Sequence, residues 1–333
     1  MIHLLFTGGT ISMQRDARAG GNIPAHGGEA LVGFAPDLAS VAPYRIEDWG
    51  RYPACHMGLD KLWELRERVR AIVSGESGAI PDGIVITHGT DTLQETAYLL
   101  ARTLESTVPI AITGAMRTSS DVGWDGPRNL TDAARVAAAP ESRSRGAMVV
   151  FGGRILSGLE AVKTEAIGLD AFAAPYGSML GVVQSGSVRF GRPAEALPLV
   201  LPQSLSARVA HVPVVVGDDG ALLDLARPLH DGLVLEAFGS GNIPPGAVPA
   251  VQRWIDEGKT VVLASRCATG QVTPVYAFAG GGATLVKAGV IPAGPRTPSQ
   301  ARMELTIALS AGAPYGSPIR IQSETPYSAA VED

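Results

Sequence analysis

The segment Ile2-His3-Leu4-Leu5-Phe6-Thr7-Gly8-Gly9-Thr10-Ile11-Ser12 joins an apolar run to a glycine turn that carries hydroxyl side chains. A second segment, Gly83-Ile84-Val85-Ile86-Thr87-His88-Gly89-Thr90-Asp91-Thr92, has the same order of apolar run, glycine and threonine. Short apolar runs bounded by glycine are typical of strands that are buried on both faces of a parallel sheet. Open parallel sheets bind their ligands at the carboxyl ends of their strands. Both threonine turns are therefore predicted to lie at a ligand-binding edge.

Helical periods alternate with the predicted strands. One apolar stripe leads into the second segment, and another follows Asp91. Asp91 and Gln94 have the spacing of a helix-capping pair, which places Thr90 at a helix N-terminus, where free N–H groups favour an anionic group. The stripes consist of Leu62, Leu65, Val69, Ile72 and Val73 in the first helix, and of Leu93, Ala97, Leu100 and Leu104 in the second.

The fold class predicted from this alternation is α/β. A larger N-terminal domain has an open, mostly parallel sheet with crossover helices, and a smaller C-terminal α/β domain is flavodoxin-like or Rossmann-like. A length of 333 residues supports two domains, because one hydrophobic core rarely grows further than about 250–300 residues. Residues 191–212, rich in proline and small side chains, are predicted to link a catalytic domain at 1–190 to a second domain at 213–333. In the second domain, strands are predicted at 232–237 and 260–264, with a helix at 247–257 between them.

Composition excludes several classes of partner. The chain has 46% hydrophobic residues, a formal net charge of −5 and a sequence pI of about 5.7, so no nucleic acid partner is predicted. No apolar run is as long as a membrane span, because glycine, proline or charge interrupts each candidate. The six histidines show no metal-ligand spacing, and we predict neither a metal nor another cofactor.

The cysteines and the N-terminus predict a location. Cys55 and Cys267 are too few for a disulfide framework and fit a reducing compartment. The first predicted strand begins at Ile2, which leaves no room for a signal peptide ahead of it. A cytoplasmic protein is the expectation.

The threonine motifs Thr7-Gly8-Gly9-Thr10-Ile11 and His88-Gly89-Thr90-Asp91-Thr92 resemble the two signatures of the bacterial-type L-asparaginases, a family of asparaginase and glutaminase amidohydrolases. Either motif alone is more often a simple turn or a helix cap. Further segments resemble the family in the same order along the chain. They are Pro109-Ile110-Ala111-Ile112-Thr113-Gly114-Ala115-Met116-Arg117, Asp125-Gly126-Pro127-Arg128-Asn129-Leu130, Val162-Lys163-Thr164 and Gly239-Ser240-Gly241-Asn242.

The resemblance implies an enzyme that hydrolyses L-asparagine to L-aspartate and ammonia without a cofactor. Thr10 would be the nucleophile that forms an acyl-enzyme, and Thr90 would form a second triad with Lys163 and Asp91. A lysine beside a carboxylate can have its charge state tuned and take part in proton transfer. Asp91 would also bind the amino group of the substrate. Gly89 and the main chain of Ala115 would contact the substrate.

The chain also departs from the family pattern. The lid segment Met13–Gly28 is rich in glycine and looks flexible, but it lacks the tyrosine that the family usually carries there. Ala54 and Cys55 occupy the region of a substrate-binding serine. Tyr276 lies where a neighbouring subunit often donates an acidic residue, and it is a candidate replacement for one of the missing groups. Its alternative role is packing between domains.

The resemblance further implies a homodimer or homotetramer in which Asn242 completes the site of the partner subunit. His88 is interpreted as a structural histidine. Two alternative functions stay open. One is hydrolysis of glutamine or another small amino-acid amide, and the other is an amino-acid-binding or regulatory protein that has lost the chemistry.

Overall fold

A computed structural model describes residues 1–193 and 199–316. Its strands are, in chain order, β1 (Ile2–Gly8), β2 (Met13–Asp16), β3 (Gly21–Pro24), β4 (Tyr44–Tyr52), β5 (Gly83–Thr87), β6 (Ile110–Thr113), β7 (Ala147–Phe151), β8 (Arg154–Ser157), β9 (Val162–Lys163), β10 (Phe172–Ala173), β11 (Gly181–Gln184), β12 (Ser187–Phe190), β13 (Val209–Pro213), β14 (Gly232–Ala237), β15 (Thr260–Ser265) and β16 (Ile291–Pro292). Its α-helices are α1 (Gly28–Gly33), α2 (Leu59–Val73), α3 (Leu93–Thr103), α4 (Gly126–Ala138), α5 (Ala221–Ala226), α6 (Val248–Asp256), α7 (Gly282–Ala288) and α8 (Pro298–Ser310).

The large N-terminal sheet has the strand order β12-β11-β8-β7-β6-β5-β1-β4. Five neighbouring strands run parallel, namely β7, β6, β5, β1 and β4. At the end of the sheet away from β4, strands β8, β11 and β12 pair antiparallel. β1 lies next to the edge strand β4 and is paired on its other side with β5. The predicted mostly parallel sheet is confirmed, and it brings the two threonine segments onto adjacent strands.

Helices cover both faces of this sheet, as two-sided burial of the parallel strands requires. The predicted stripe of α2 packs with α3 on one face, where Leu62, Leu65 and Val69 are buried. α4 and α1 cover the other face, where Leu130 and Leu31 are buried. The apolar periods of the sequence thus become the two hydrophobic layers that hold the sheet in place.

The C-terminal sheet is parallel throughout, in the order β13-β14-β15-β16. One face packs against α5, α6 and α7 through residues such as Trp254, and the other packs against α8 through Leu305. The predicted strands at 232–237 and 260–264 and the helix between them are present. The smaller α/β domain expected from the sequence is confirmed.

One strand lies where the sequence predicts a linker. β13 occupies 209–213, so its first four residues fall in the predicted linker 191–212, and it pairs along its length with β14. Its short run contains His211 and ends in Pro213, so its apolar pattern is weak, but both Val209 and Ala210 are buried in the sheet. Residues 194–198 of the predicted linker and 317–333 of the predicted C-terminal domain lie outside the described residues.

Helix α8 joins the two halves of the chain. Its residues Met303 and Ile307 pack into the N-terminal core, while Ala301 and Leu305 pack under the C-terminal sheet. Between these two sides lies Glu304, whose side chain is fully buried. The central turns of the helix therefore have almost no solvent-exposed face.

A buried ion pair connects α8 to α3. The Arg102 Nε donates to Glu304 Oε2 at 2.9 Å and its Nη2 donates to Glu304 Oε1 at 3.0 Å, with both side chains inaccessible to solvent. The Tyr98 hydroxyl donates to the same carboxylate at 2.9 Å and accepts from Arg296 Nε at 2.9 Å. Burial raises the pKa of Tyr98 well above its usual value, so the phenol stays a hydrogen-bond donor.

Glu304→Ala should lower the free energy of unfolding by about 3–5 kcal/mol, because the guanidinium of Arg102 is left buried without its carboxylate. Chemical denaturation measures the loss. Glu64→Ala is the control, since Glu64 is exposed and its pairing with Lys61 spans 3.3 Å at the surface; it should cost no more than about 1 kcal/mol. Equal losses in the two variants would contradict the role assigned to the buried pair.

Candidate active site

The first threonine turn is built on two left-handed glycines. β1 ends at Gly8, with φ of 109°, and Gly9 has φ of 83°, after which one turn of 3-10 helix begins at Thr10. A Cβ placed on Gly9 would lie 2.4 Å from both the Cα and the backbone nitrogen of Gly89. Only a residue without a side chain fits there. The backbone contact fixes the Thr10 turn against the Thr90 turn.

Two further loops meet the same point. A Cβ on Gly89 would lie 2.6 Å from the Cβ of Ala54, which follows β4, and a Cβ on Gly114 would lie 2.4 Å from the carbonyl oxygen of His88. The loops after β4, β1, β5 and β6 thus converge at the carboxyl edge of four adjacent strands. Both threonine turns therefore lie at the edge of the sheet where the sequence predicts them.

A hydroxyl, an amine and a carboxylate come together at this edge. Lys163 Nζ donates to Thr90 Oγ1 at 2.9 Å and to Asp91 Oδ1 at 2.7 Å. The Lys163 side chain is only 17% exposed, whereas that of Asp91 is 67% exposed. Lysines are rarely buried to this degree without a partner. The amine therefore lies between a nearly buried hydroxyl and a carboxylate that solvent or a ligand can reach.

The predicted capping pair is wrong. Thr92 precedes α3 as its N-cap residue, and no side-chain hydrogen bond caps this helix. The carboxylate of Asp91 instead pairs with Lys163, and Gln94 Oε1 accepts the backbone N–H of Lys163 at 2.8 Å. Both side chains that the spacing assigns to helix capping thus bind Lys163, which lies far away in the sequence.

Ala54 and Cys55 differ in their exposure. Ala54 is buried against Gly89, and its carbonyl accepts a hydrogen bond from Thr92 Oγ1 at 2.9 Å. Cys55 is solvent-exposed and its thiol is free. The structure therefore brings Ala54 into the cluster of loops and leaves the Cys55 side chain at the surface.

Ala115 is held at the site by side chains that sequence reasoning gave no role. Asp125 accepts the backbone N–H of Met116 at 3.0 Å, and Asn129 Nδ2 donates to the carbonyl of Gly114 at 3.1 Å. Asn129 also donates to Asp125 at 3.0 Å. The available signal was the spacing of these two polar residues, one turn apart at the start of a helix. Together they fix the peptides on either side of Ala115.

The lid segment forms a regular hairpin of β2 and β3 and contains no tyrosine. Its base is tied to the loop that follows β6. Ser119 Oγ donates to the carbonyl of Met13 at 3.1 Å, and the ring Nε2 of His26 lies 2.8 Å from the same hydroxyl. Because that hydroxyl proton is committed to a carbonyl, the His26 ring donates to Ser119.

Asn242 and Tyr276 make their contacts within the C-terminal part of the chain. Asn242 Oδ1 accepts the backbone N–H of Gly282 at 3.2 Å, and the carbonyl of Tyr276 accepts that of Ala283 at 2.9 Å. The Tyr276 side chain is about half exposed. Within residues 1–193 and 199–316, no hydrogen bond joins either residue to the threonine turns.

His88 supports the second threonine turn through hydrogen bonds of its buried ring. Its Nδ1 donates to the carbonyl of Gly89 at 2.9 Å, which leaves Nε2 to accept from the Thr96 hydroxyl at 2.9 Å. Complete burial lowers the pKa of the imidazole to about 4, because the charged ring would lose its hydration. The ring is therefore neutral near pH 7. These contacts agree with the structural interpretation of His88.

Two general properties of the described residues bear on function. None of their helices is both long enough and apolar enough to span a membrane. In the same part of the chain, histidine, cysteine, aspartate and glutamate nowhere gather in a group of three that could hold a metal ion.

A threonine, a lysine and an aspartate are thus joined by hydrogen bonds at the carboxyl edge of an α/β sheet. Residues 1–196 match the family model for the N-terminal part of asparaginases, and residues 208–317 match that for the C-terminal domain of glutaminases and asparaginases. The chain belongs to the asparaginase family.

Relatives support this membership. A probable L-asparaginase of Deinococcus radiodurans is 36% identical over 93% of each chain. A glutaminase-asparaginase of Pseudomonas aeruginosa is 29% identical over 80% of this chain and 75% of its own. A crystal structure of a probable cytoplasmic L-asparaginase from Campylobacter jejuni superposes with a TM-score of 0.80, at 29% identity, over 93% of this chain and 94% of that one.

Gly9→Ala should destabilise the protein by about 2–5 kcal/mol, since the new Cβ meets the Gly89 backbone and the residue keeps a positive φ. Gly20→Ala separates the two effects, because Gly20 also has a positive φ, of 70°, but no atom lies within 4 Å of the added Cβ. In Gly20→Ala, only the cost of the positive φ, about 1–2 kcal/mol, should remain. Similar losses in both variants, measured by urea unfolding, would show that the contact between the turns is unimportant.

Stability should depend on pH through His88. Because the unfolded imidazole has a pKa near 6.5 and the folded one about 4, the unfolded state binds more protons between these values. The free energy of unfolding should therefore decrease as pH falls from 6.5 to 4, by about 3 kcal/mol in full and about 2 kcal/mol between pH 7 and 5.

His88→Gln tests this dependence, since glutamine keeps a donor and an acceptor but does not titrate in this range. Denaturation at pH 7 and pH 5 should show a smaller loss in the variant than in the wild type. His56→Gln, at an exposed histidine, is the control and should keep the wild-type difference. An unchanged difference in His88→Gln would exclude His88 as its source.

Proposed function

We propose that this protein hydrolyses the side-chain carboxamide of L-asparagine to give L-aspartate and ammonia. The observation that carries the proposal is the cluster of Thr90, Lys163 and Asp91 beside the Thr10 turn, with Nζ–O distances of 2.9 and 2.7 Å. Membership of the asparaginase family gives the substrate class, and the names of the relatives above support asparagine in particular.

In the proposed reaction, Thr10 Oγ attacks the carboxamide carbon. The hydroxyl proton passes to the enzyme's base and on to the leaving nitrogen, the C–N bond breaks, and ammonia leaves an ester on Thr10. Water then attacks the ester, gives the carboxylate and restores the threonine hydroxyl. The Thr90, Lys163 and Asp91 cluster supplies the groups for proton transfer. A Lys163 ammonium that donates to Thr90 Oγ1 also stabilises negative charge developing on that oxygen.

Substrate contacts follow from the same geometry. Asp91, which is 67% exposed, can accept the substrate ammonium while it pairs with Lys163. The Gly89 backbone and the main chain of Ala115 flank the position of the scissile amide in this proposal, and the peptides around Ala115 are fixed by Asp125 and Asn129. Fixed peptide groups suit the stabilisation of a tetrahedral oxyanion, because they need no reorganisation during the reaction.

We also propose a homodimer or homotetramer with sites near subunit interfaces. Asn242 and the half-exposed Tyr276 would complete the site of a neighbouring subunit, with Ala54 and Cys55 near the α-substituents of the substrate. The division into a catalytic domain at 1–190, a linker at 191–212 and a domain at 213–333 belongs to this proposal. So does a cytoplasmic location, which the description of the Campylobacter jejuni relative supports.

Glutamine is the second candidate substrate, since the Pseudomonas aeruginosa relative is a glutaminase-asparaginase. The purified protein incubated with asparagine, with glutamine or without substrate separates the functions by the ammonia it releases. Faster release from asparagine supports the proposal, and faster release from glutamine supports the alternative. Saturable asparagine binding without release would favour a binding protein.

Thr10→Ala, Thr90→Val and Lys163→Met should each lower kcat for asparagine by at least about a hundredfold, because groups that act as one catalytic unit cannot replace one another. The fold should be retained, since each change keeps an apolar stem or removes only a hydroxyl-bearing tip. Lys287→Met is the control for the lysine, because Lys287 is exposed on α7, and it should keep wild-type turnover. Normal turnover in a folded Thr10→Ala or Lys163→Met protein would refute the corresponding assignment.

A further inference from the structure

Lys163 has little regular structure to hold its backbone. It is the second residue of β9, a strand of two residues whose one partner among the described strands is the two-residue β10. In this pairing the N–H of Thr164 donates to the carbonyl of Ala171 at 2.8 Å. The N–H of Lys163 itself points away from β10, because alternate residues of a strand direct their N–H groups to opposite sides.

Gln94 receives this N–H group. Its Oε1 lies 2.8 Å from the Lys163 nitrogen, and it reaches there from the first turn of α3. The same turn follows directly after Thr90 and Asp91, the two side chains that Lys163 Nζ contacts. One short segment of the chain therefore binds Lys163 at both its backbone and its amine.

Glu95 fixes the orientation of the Gln94 amide. Gln94 Nε2 donates to Glu95 Oε1 at 3.0 Å, which turns the carbonyl oxygen of the amide toward Lys163. Burial raises the pKa of Glu95, and Oε2 of this carboxyl has no hydrogen-bond partner among the described residues. A glutamine with both ends of its amide engaged loses its freedom to rotate, so its acceptor oxygen is held in one place.

We propose that Gln94 is a positioning residue, which holds the backbone of Lys163 at the distance from which its amine reaches both Thr90 and Asp91. This inference rests on the proposed function of that cluster. Without the Gln94 acceptor, the short β9 strand can shift away from α3. A displacement of about 1 Å at a reacting group can lower a rate by about a hundredfold.

Two substitutions isolate the acceptor. Gln94→Met keeps an unbranched chain of similar length but removes both the acceptor and the donor, whereas Gln94→Glu keeps the acceptor oxygen and removes the donor to Glu95. Gln94→Met should lower kcat for asparagine at least about tenfold with KM changed less than about threefold, and Gln94→Glu should recover most of that loss. Gln252→Met, on the exposed face of α6, is the matched control and should leave kcat unchanged.

Backbone hydrogen exchange gives a readout that does not require activity. The amide of Lys163 should exchange at least about tenfold faster in Gln94→Met than in the wild type, and it should be protected in Gln94→Glu, because only the methionine variant lacks an acceptor. Thermal unfolding checks that both variants fold. If the methionine variant does not fold, Gln94→Ala, a strong helix former, takes its place.

The outcomes separate this inference from the proposed function. Low turnover in Lys163→Met with wild-type kcat in Gln94→Met overturns the positioning role and leaves the catalytic cluster intact. Equal losses in the methionine and glutamate variants, or unchanged exchange at Lys163, overturn it as well. Normal turnover in Lys163→Met overturns the proposed cluster itself. Additive losses in the double variant Gln94→Met/Lys163→Met would show that Gln94 does not act through Lys163.

Discussion

The site depends on a contact between two peptide backbones. Gly9 and Gly89 approach so closely that neither a side chain nor a water molecule fits between them. Because β1 and β5 are neighbouring strands, this contact holds together the turns that follow them, which carry Thr10 and Thr90. The surrounding loops pack against these two turns: Ala54 packs on Gly89, and the peptide of Gly114 packs on His88. Turns packed backbone against backbone leave little room for the residues that follow them, Thr10 and Thr90, to change their relative position.

Local sequence was sufficient to predict the strands that carry the site. A parallel strand inside a sheet contacts apolar groups on both faces, so its sequence is a continuous apolar run. Such a run followed by glycine and threonine therefore marks both the strand and the turn at its carboxyl end. The position of Thr10 and Thr90 at the carboxyl edge follows from that pattern alone. The helices α2 and α3 were also predictable, since each presents one apolar stripe to the sheet.

Long-range partners were not predictable from the same information. The spacing of Asp91 and Gln94 is that of a local capping pair, but both side chains bind Lys163, about seventy residues away. Spacing alone does not distinguish helix capping from binding to a distant segment, because side chains at the start of a helix can reach either partner. β13 was missed for a related reason: a five-residue strand that contains histidine and proline has too weak a pattern, and its burial comes from β14 and α8.

Helix α8 belongs to two hydrophobic cores at once. Met303 is part of the core below the large sheet, and Leu305 is part of the core below the small one. Neither core is complete without this helix, so the two halves of the chain share the last element of secondary structure among the described residues. The two halves are therefore expected to melt in a single transition, and the large sheet cannot reach its final packing until α8 has been synthesised.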